Sequence, residues 1–176
     1  QCLYSYPSPY MFIERAMLHR DACMYDKAIE DYENVLAEEP DNPFAYNGLS
    51  FIYKMRMEYE KALVCVKKAL LYYDKPYARI YCDMADLYTL LGLNKMAVEA
   101  YEKALEVGGE EVQRSKYYVR RYAHGLVRAG RTEDALKALK EAYTNSLEYY
   151  EQEAEIYHKL ADKENVRRVI DRKSVV

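Results

Sequence analysis

The 176-residue chain has no tryptophan, three phenylalanines, six glycines and five prolines. So little glycine and proline excludes a collagen-like or low-complexity chain and argues against a turn-dense all-β fold. Its four cysteines, Cys2, Cys23, Cys65 and Cys82, are widely spaced and form no C-x-x-C pair. That excludes the ligand spacing of a structural zinc site or a thioredoxin-like redox pair. A chain of this length can bury a core without a disulfide framework. The cysteines, Cys2 included, are therefore read as free thiols in a reducing compartment, and the protein is assigned to the cytoplasm. Neither charge sign dominates: 26 Lys and Arg face 29 Asp and Glu, for a net charge of -3. A sequence-independent nucleic-acid binder would carry a basic excess, so no nucleic acid is expected as a partner. No apolar run approaches the roughly 18 residues of a membrane-spanning helix, so no membrane insertion is expected. There is no P-loop, G-x-S-x-G, H-E-x-x-H or dinucleotide fingerprint. His19, His124 and His158 lie far apart in the chain without metal-ligand spacing. The chain is not expected to be an enzyme, to bind a metal or to carry a cofactor.

What is present is a repeat. Hydrophobic residues make up 51% of the chain, and 21 of its aromatics are tyrosines, rings that can fill a core while the hydroxyl reaches water or a polar partner. Four segments share one pattern, D-K-A-I-E-D-Y-E-N-V-L, E-K-A-L-V-C-V-K-K-A-L, N-K-M-A-V-E-A-Y-E-K-A-L and E-D-A-L-K-A-L-K-E-A-Y, anchored on Ala28, Ala62, Ala97 and Ala135 at separations of 34, 35 and 38 residues. A weaker fifth copy anchors on Val166. Twelve residues before each anchor stands a small residue, Ala16, Ser50, Ala85, Ala123 or Ala154, which lets two helix backbones approach closely. Tyr46, Leu49, Ser50 and Tyr53 follow the i, i+3, i+4, i+7 spacing of one buried helical stripe, and Tyr81, Met84, Ala85 and Tyr88 repeat it. Strand alternation is nowhere sustained, so the chain is all-α. Gly92 and Gly130 suit the left-handed position that ends a helix, with Thr132 as the following N-cap. The second repeat has no glycine in its turn, M-R-M-E-Y-E, and a less regular turn is expected there. Pro40, Pro43, Pro76 and Gly108-Gly109 punctuate the boundaries.

This pattern resembles the tetratricopeptide repeat, a 34-residue helix–turn–helix with small residues at the helix crossing, aromatics at fixed spacing and a closing proline. The resemblance rests on Tyr46, Leu49, Ser50, Tyr53, Ala62, Val66 and Ala69 in the second repeat and on Tyr81, Met84, Ala85, Tyr88, Ala97, Tyr101 and Ala104 in the third. Phe12, Ala16, Ala28, Tyr32 and Pro40 carry it in the first. It implies one solenoid domain over residues 1–176, with repeats at about 9–42, 43–76, 77–111, 112–146 and a capping 147–174. It also implies a right-handed superhelix of antiparallel helix pairs with a concave face. Arg15 and His19 depart from the pattern, standing where the other repeats have apolar or aromatic residues, and Glu153 stands where leucine is usual. His19 falls in the column of Tyr53, Tyr88 and Tyr157 and is read as a packed, hydrogen-bonded histidine.

In the resembled family the first helices line the groove. Mapped onto this sequence, that face holds Ile13, Met17 and Arg20, then Asn47, Phe51 and Lys54, then Arg79, Cys82, Asp83 and Asp86. It continues with Tyr117, Arg120, Arg121, His124 and Arg128, then Glu151, Glu155 and His158. The resemblance implies that a peptide or protein segment binds there, with Met17 and Phe51 as apolar anchors and Arg121 and Arg128 gripping carboxylates. Two readings stay open for the arginine stripe: ligand binding, or neutralisation by Glu148, Glu151 and Glu155 across the repeat boundary. Of the carboxylate clamp some family members use for chaperone C termini, only Arg121 has a counterpart among Asn47, Phe51, Asp83, Tyr117 and Arg121, so a chaperone co-factor role is not expected. The alternative function is a self-association or scaffold module, a homo-oligomer or a piece of a larger protein.

Overall fold

A computed structural model describes residues 8–143 and 147–173; Cys2 lies outside them. Among the described residues there are ten helices and no strand. The chain divides after Pro76 into two compact units. The first holds α1 (Pro9–Asp21), α2 (Tyr25–Glu38), α3 (Pro43–Met55) and α4 (Tyr59–Tyr72). The second holds α5 (Ala78–Leu90), α6 (Asn94–Gln113), α7 (Lys116–Arg128), α8 (Thr132–Tyr143), α9 (Leu147–Lys159) and α10 (Lys163–Lys173). Each odd-numbered helix packs most closely against the even-numbered helix that follows it.

One turn is repeated inside every pair. Cys23, Met57, Gly92, Gly130 and Ala161 all have φ between 57° and 79°. In each, the next residue's N–H donates five residues back, from Met24 to His19, Glu58 to Tyr53, Leu93 to Tyr88, Arg131 to Leu126 and Asp162 to Tyr157, at 2.8–2.9 Å. The left-handed residue's own N–H donates three back, at 2.9–3.2 Å. These two bonds satisfy carbonyls that a helix end otherwise leaves open. The turn expected to be irregular for lack of glycine is therefore as regular as the rest. Met57 takes the left-handed conformation in spite of its Cβ, at a cost of about 1 kcal/mol. Thr132 is the first residue of α8 rather than the residue before it. Between pairs the punctuation is as the sequence reads. Pro43 opens α3, and Asn42 caps it by accepting from the Ala45 N–H at 3.0 Å. Helical conformation breaks within α6 at Gly109, which takes φ 59° and ψ -157°.

The crossing residues Ala16, Ser50, Ala85 and Ala123 and the anchors Ala28, Ala62, Ala97 and Ala135 are all buried. Ser50 also donates its hydroxyl to the Ala62 carbonyl at 2.9 Å, tying crossing to anchor. In the first unit Ala16, Ala28, Tyr32, Val35, Leu49 and Ile52 form one core. In the second, Val98, Val119, Leu126, Leu139, Tyr149 and Ile156 run through a core from α6 to α9. Tyr88 is buried, whereas Tyr53 is only half-buried, with the Lys61 ammonium 5.5 Å from its ring centre. In α9 the buried residues are Tyr149, Glu153 and Ile156, while the crossing residue Ala154 is half-buried. The helix thus buries the face it turns to α7 and α8.

The two departures in the first repeat have one cause. Asp31 of α2 is buried, and Arg15 of α1 grips both its oxygens, at 3.0 and 3.1 Å from Nε. The His19 Nδ1 lies 2.9 Å from the second oxygen. Arg15 and His19 replace apolar residues because a buried carboxylate must be paired to be tolerated.

Candidate functional site

The structure sorts the residues mapped to the groove into two groups, one in each unit. In the first unit, Met17 and Phe51 are each about 40% exposed, and Asn47 and Lys54 are half-buried on the same helix as Phe51. The Arg20 guanidinium of α1 sits 5.2 Å from the centre of the Phe51 ring on α3. That contact is a cation–π interaction bridging neighbouring pairs.

In the second unit, Arg121 of α7 reaches back onto α5. Its Nε donates to one Asp86 oxygen at 3.2 Å, and Nη2 donates to the other, to the Cys82 carbonyl at 3.2 Å and to Asp83 at 3.4 Å. Its Nη1 donates to the Tyr117 hydroxyl at 2.6 Å, and Tyr101 of α6 donates to Asp86 at 2.5 Å. Burial disfavours the guanidinium charge, but Asp86 more than compensates and holds its pKa above the ordinary value. Burial and the same carboxylate push the Tyr101 hydroxyl far up. Asp83, Asp86, Tyr117 and Arg121 are thus brought together in a closed network, and the Arg121 donors are taken up within it. Cys82, mapped to the open face, is fully buried beneath this network. Its thiol is pushed up to about 12 by burial.

Beside the network lies a cleft of about 750 Å³ between α5, α7 and α9. Arg120, Arg121, His124 and Arg128 line it from α7, Asp86 and Thr89 from α5, and Glu155, Ile156, Lys159 and Leu160 from its far side. Arg120 and Arg128 are exposed, and neither makes an ion pair or hydrogen bond through its side chain among the described residues. The glutamates pair with other residues: Glu148 with Lys116, Glu151 with Lys173 at 2.8 Å, and Glu155 with Lys159 at 2.8 Å, although the Arg120 charge also reaches Glu155. The Lys159 ammonium also donates to the His124 Nδ1 at 3.1 Å. Lysine cannot accept, so Nδ1 is the acceptor and the proton of the neutral ring sits on Nε2. Burial first, then the Lys159 charge, lowers the His124 pKa from its ordinary value. Four cationic side chains therefore meet two carboxylates around a floor formed partly by Ile156 and Val127.

Among the described residues no group of three or more His, Cys, Asp or Glu side chains could hold a metal ion. None of the helices is long and apolar enough to cross a membrane, over the same residues.

Residues 78–107, which span α5 and most of α6, match the family model of the tetratricopeptide repeat. That stretch is a tetratricopeptide repeat. No curated protein sequence matches the chain significantly. Solved structures of the fold match over nearly its whole length. YrrB, described as a TPR protein with an unusual peptide-binding site, is 17% identical with a TM-score of 0.74, over 94% of this chain and 84% of that one. MamA is 15% identical with a TM-score of 0.75, over 94% and 89%. A Podospora anserina protein with nearly identical TPR-like repeats is 13% identical with a TM-score of 0.77, over 97% and 96%.

The sequence map of the groove lacks Thr89, Tyr101, Gly125, Val127, Ile156, Lys159 and Leu160 of the cleft. Lys159 is legible as the i+4 partner of Glu155 on one helix face. Leu160 follows α9 and carries no periodic signal. His158, mapped to the groove, is exposed and does not line the cleft.

Proposed function

We propose that the chain is a protein-interaction module and that the cleft between α5, α7 and α9 receives a polypeptide segment. The observation that carries this reading is the pair Arg120 and Arg128: two exposed guanidinium groups that make no ion pair or side-chain hydrogen bond among the described residues, on one wall of a concave, partly apolar surface. Guanidinium groups present planar donors suited to carboxylates and backbone carbonyls. An apolar floor with a few placed polar groups is the composition of a recognition site. YrrB, which shares the fold, is itself described as having a peptide-binding site. The reading is of a binding module rather than a catalyst.

The test is selection of peptides from a random display library on the immobilised chain, repeated with Leu160→Glu. Enrichment of peptides that bind the parent and not the variant supports the reading. Failure to enrich any peptide, or enrichment indifferent to Leu160→Glu, overturns it. A concentration-dependent mass in sedimentation, lost in the same variant, would instead assign the cleft to a second copy of the chain.

A further inference from the structure

Resting on that reading, we infer that the occupant is an extended acidic segment carrying two carboxylates four residues apart with an aliphatic residue midway. Arg120 and Arg128 are eight residues apart on α7, a rise of about 12 Å along the axis. In an extended peptide, side chains two residues apart point the same way, and four residues span about 13 Å. Carboxylates at the first and fifth positions therefore meet the two guanidinium groups together, and the third side chain faces the cleft between them. That midpoint lies level with His124, and Ile156 and Leu160 of the far side supply apolar surface there.

The charge of the cleft selects the class of ligand. Both carboxylates that line it are engaged inside the protein, Asp86 by Arg121 and Tyr101, Glu155 by Lys159. Arg121 is spent on the same network. The lining therefore offers an incoming carboxylate two guanidinium groups outside any ion pair or hydrogen bond, Arg120 adding its field at Glu155, and no unpaired negative charge. The neutral His124 ring keeps its proton on Nε2, which faces Glu155 Oε1 at 3.9 Å. A nucleic acid would present regularly spaced phosphates, but the chain as a whole carries a net charge of -3, which repels a long polyanion. A short acidic peptide meets only the local field.

The experiment measures fluorescence anisotropy of labelled Gly-Ser-Glu-Thr-Leu-Thr-Glu-Ser-Gly against the same peptide with both glutamates changed to glutamine, on the full chain at low and moderate salt. The glutamate peptide is expected to bind at least tenfold more tightly, with the advantage shrinking as salt rises. Arg120→Ala/Arg128→Ala should erase the difference between the two peptides, while Lys27→Ala/Lys75→Ala in the first unit should keep it. Comparing two peptides on each variant makes the readout independent of any change in folded fraction. Equal binding of both peptides, abolished by Leu160→Glu, would overturn the acidic assignment and leave the peptide reading standing. Library selection that yields binders while the glutamate peptide does not bind would do the same. Failure of every library peptide would remove both. Displacement of the glutamate peptide by a labelled oligonucleotide through Arg120 and Arg128 would overturn the choice of a protein ligand.

Discussion

Lys159 donates a hydrogen bond to the Nδ1 of His124 at 3.1 Å, an ammonium resting on an imidazole that stays neutral to receive it. Protonating that ring would leave both groups as donors with the same charge and break the contact.

Acidification should therefore cost stability. The His124 pKa in the folded chain lies below its ordinary 6.5, because of burial first and the neighbouring Lys159 second. The unfolded chain takes up this proton first, so the contribution is absent above about pH 6.5 and grows as a loss below it. The Glu155 carboxyl, held low by its bond to Lys159, adds stability present above its ordinary 4.5 and lost only further down. Denaturant midpoints at pH 7.5 and 5.5 isolate the histidine. The parent should lose more between the two than His124→Gln does, and equal losses would refute the assignment.

Arg121 should behave as a structural residue. Arg121→Gln removes the guanidinium that pairs Asp86 in a largely buried network, and loss of one partner of such a pair costs about 3 kcal/mol. Arg121→Glu should cost more through repulsion from Asp83 and Asp86. Urea denaturation of Arg121→Gln, Asp86→Asn and the double variant gives the coupling. Additive losses would show that the two residues do not depend on each other.

The shared turn predicts opposite effects of glycine. Met57→Gly relieves the left-handed strain and should stabilise by about 1 kcal/mol, whereas Gly92→Ala introduces it and should destabilise by a similar amount. Calorimetry of the two variants should move the melting temperature in opposite directions. A Met57→Gly chain that melts earlier than its parent would contradict the turn geometry.

Gly48 on α3 should not tolerate a methyl group. A Cβ placed there would lie 2.2 Å from the Tyr32 ring, whose side chain is itself buried. Gly48→Ala should cost about 2 kcal/mol by overpacking, and the double variant Gly48→Ala/Tyr32→Leu should recover part of that loss. Thermal melts of the three chains check both.

Asp31 is tolerated only while paired. Arg15→Met removes the guanidinium and leaves the buried carboxylate with His19 alone, an expected loss of about 3 kcal/mol. Asp31→Leu/Arg15→Met removes both partners and should be far less harmful than the single change. A single variant as stable as the parent would dismiss the pair.

The helices are legible in the sequence because their signals repeat. An alanine or serine twelve residues before each anchor is a statement about two backbones touching, and four pairs bury both members. The second turn is misread when glycine is taken as a requirement, because the two backbone bonds at Met57 and Glu58 hold the same geometry without it. The destination of Arg121 is not legible, because its partners Asp86 and Asp83 lie 35 and 38 residues away in the chain and only the stacking of α5 beside α7 reveals them. The same holds for Arg15 and His19: as single residues they look like errors in a pattern, and Asp31 on the next helix explains both.

From each left-handed residue to the next the chain runs 34, 35, 38 and 31 residues, yet the crossing residue always precedes it by seven and the anchor always follows by five. Every gain or loss of length has been absorbed in the links that join one hairpin to its neighbour, such as the break at Gly109. The spacing between hairpins is therefore an adjustable coordinate and the hairpin a fixed part. A few residues grafted into such a link should shift where neighbouring hairpins fall while leaving each hairpin's interior untouched.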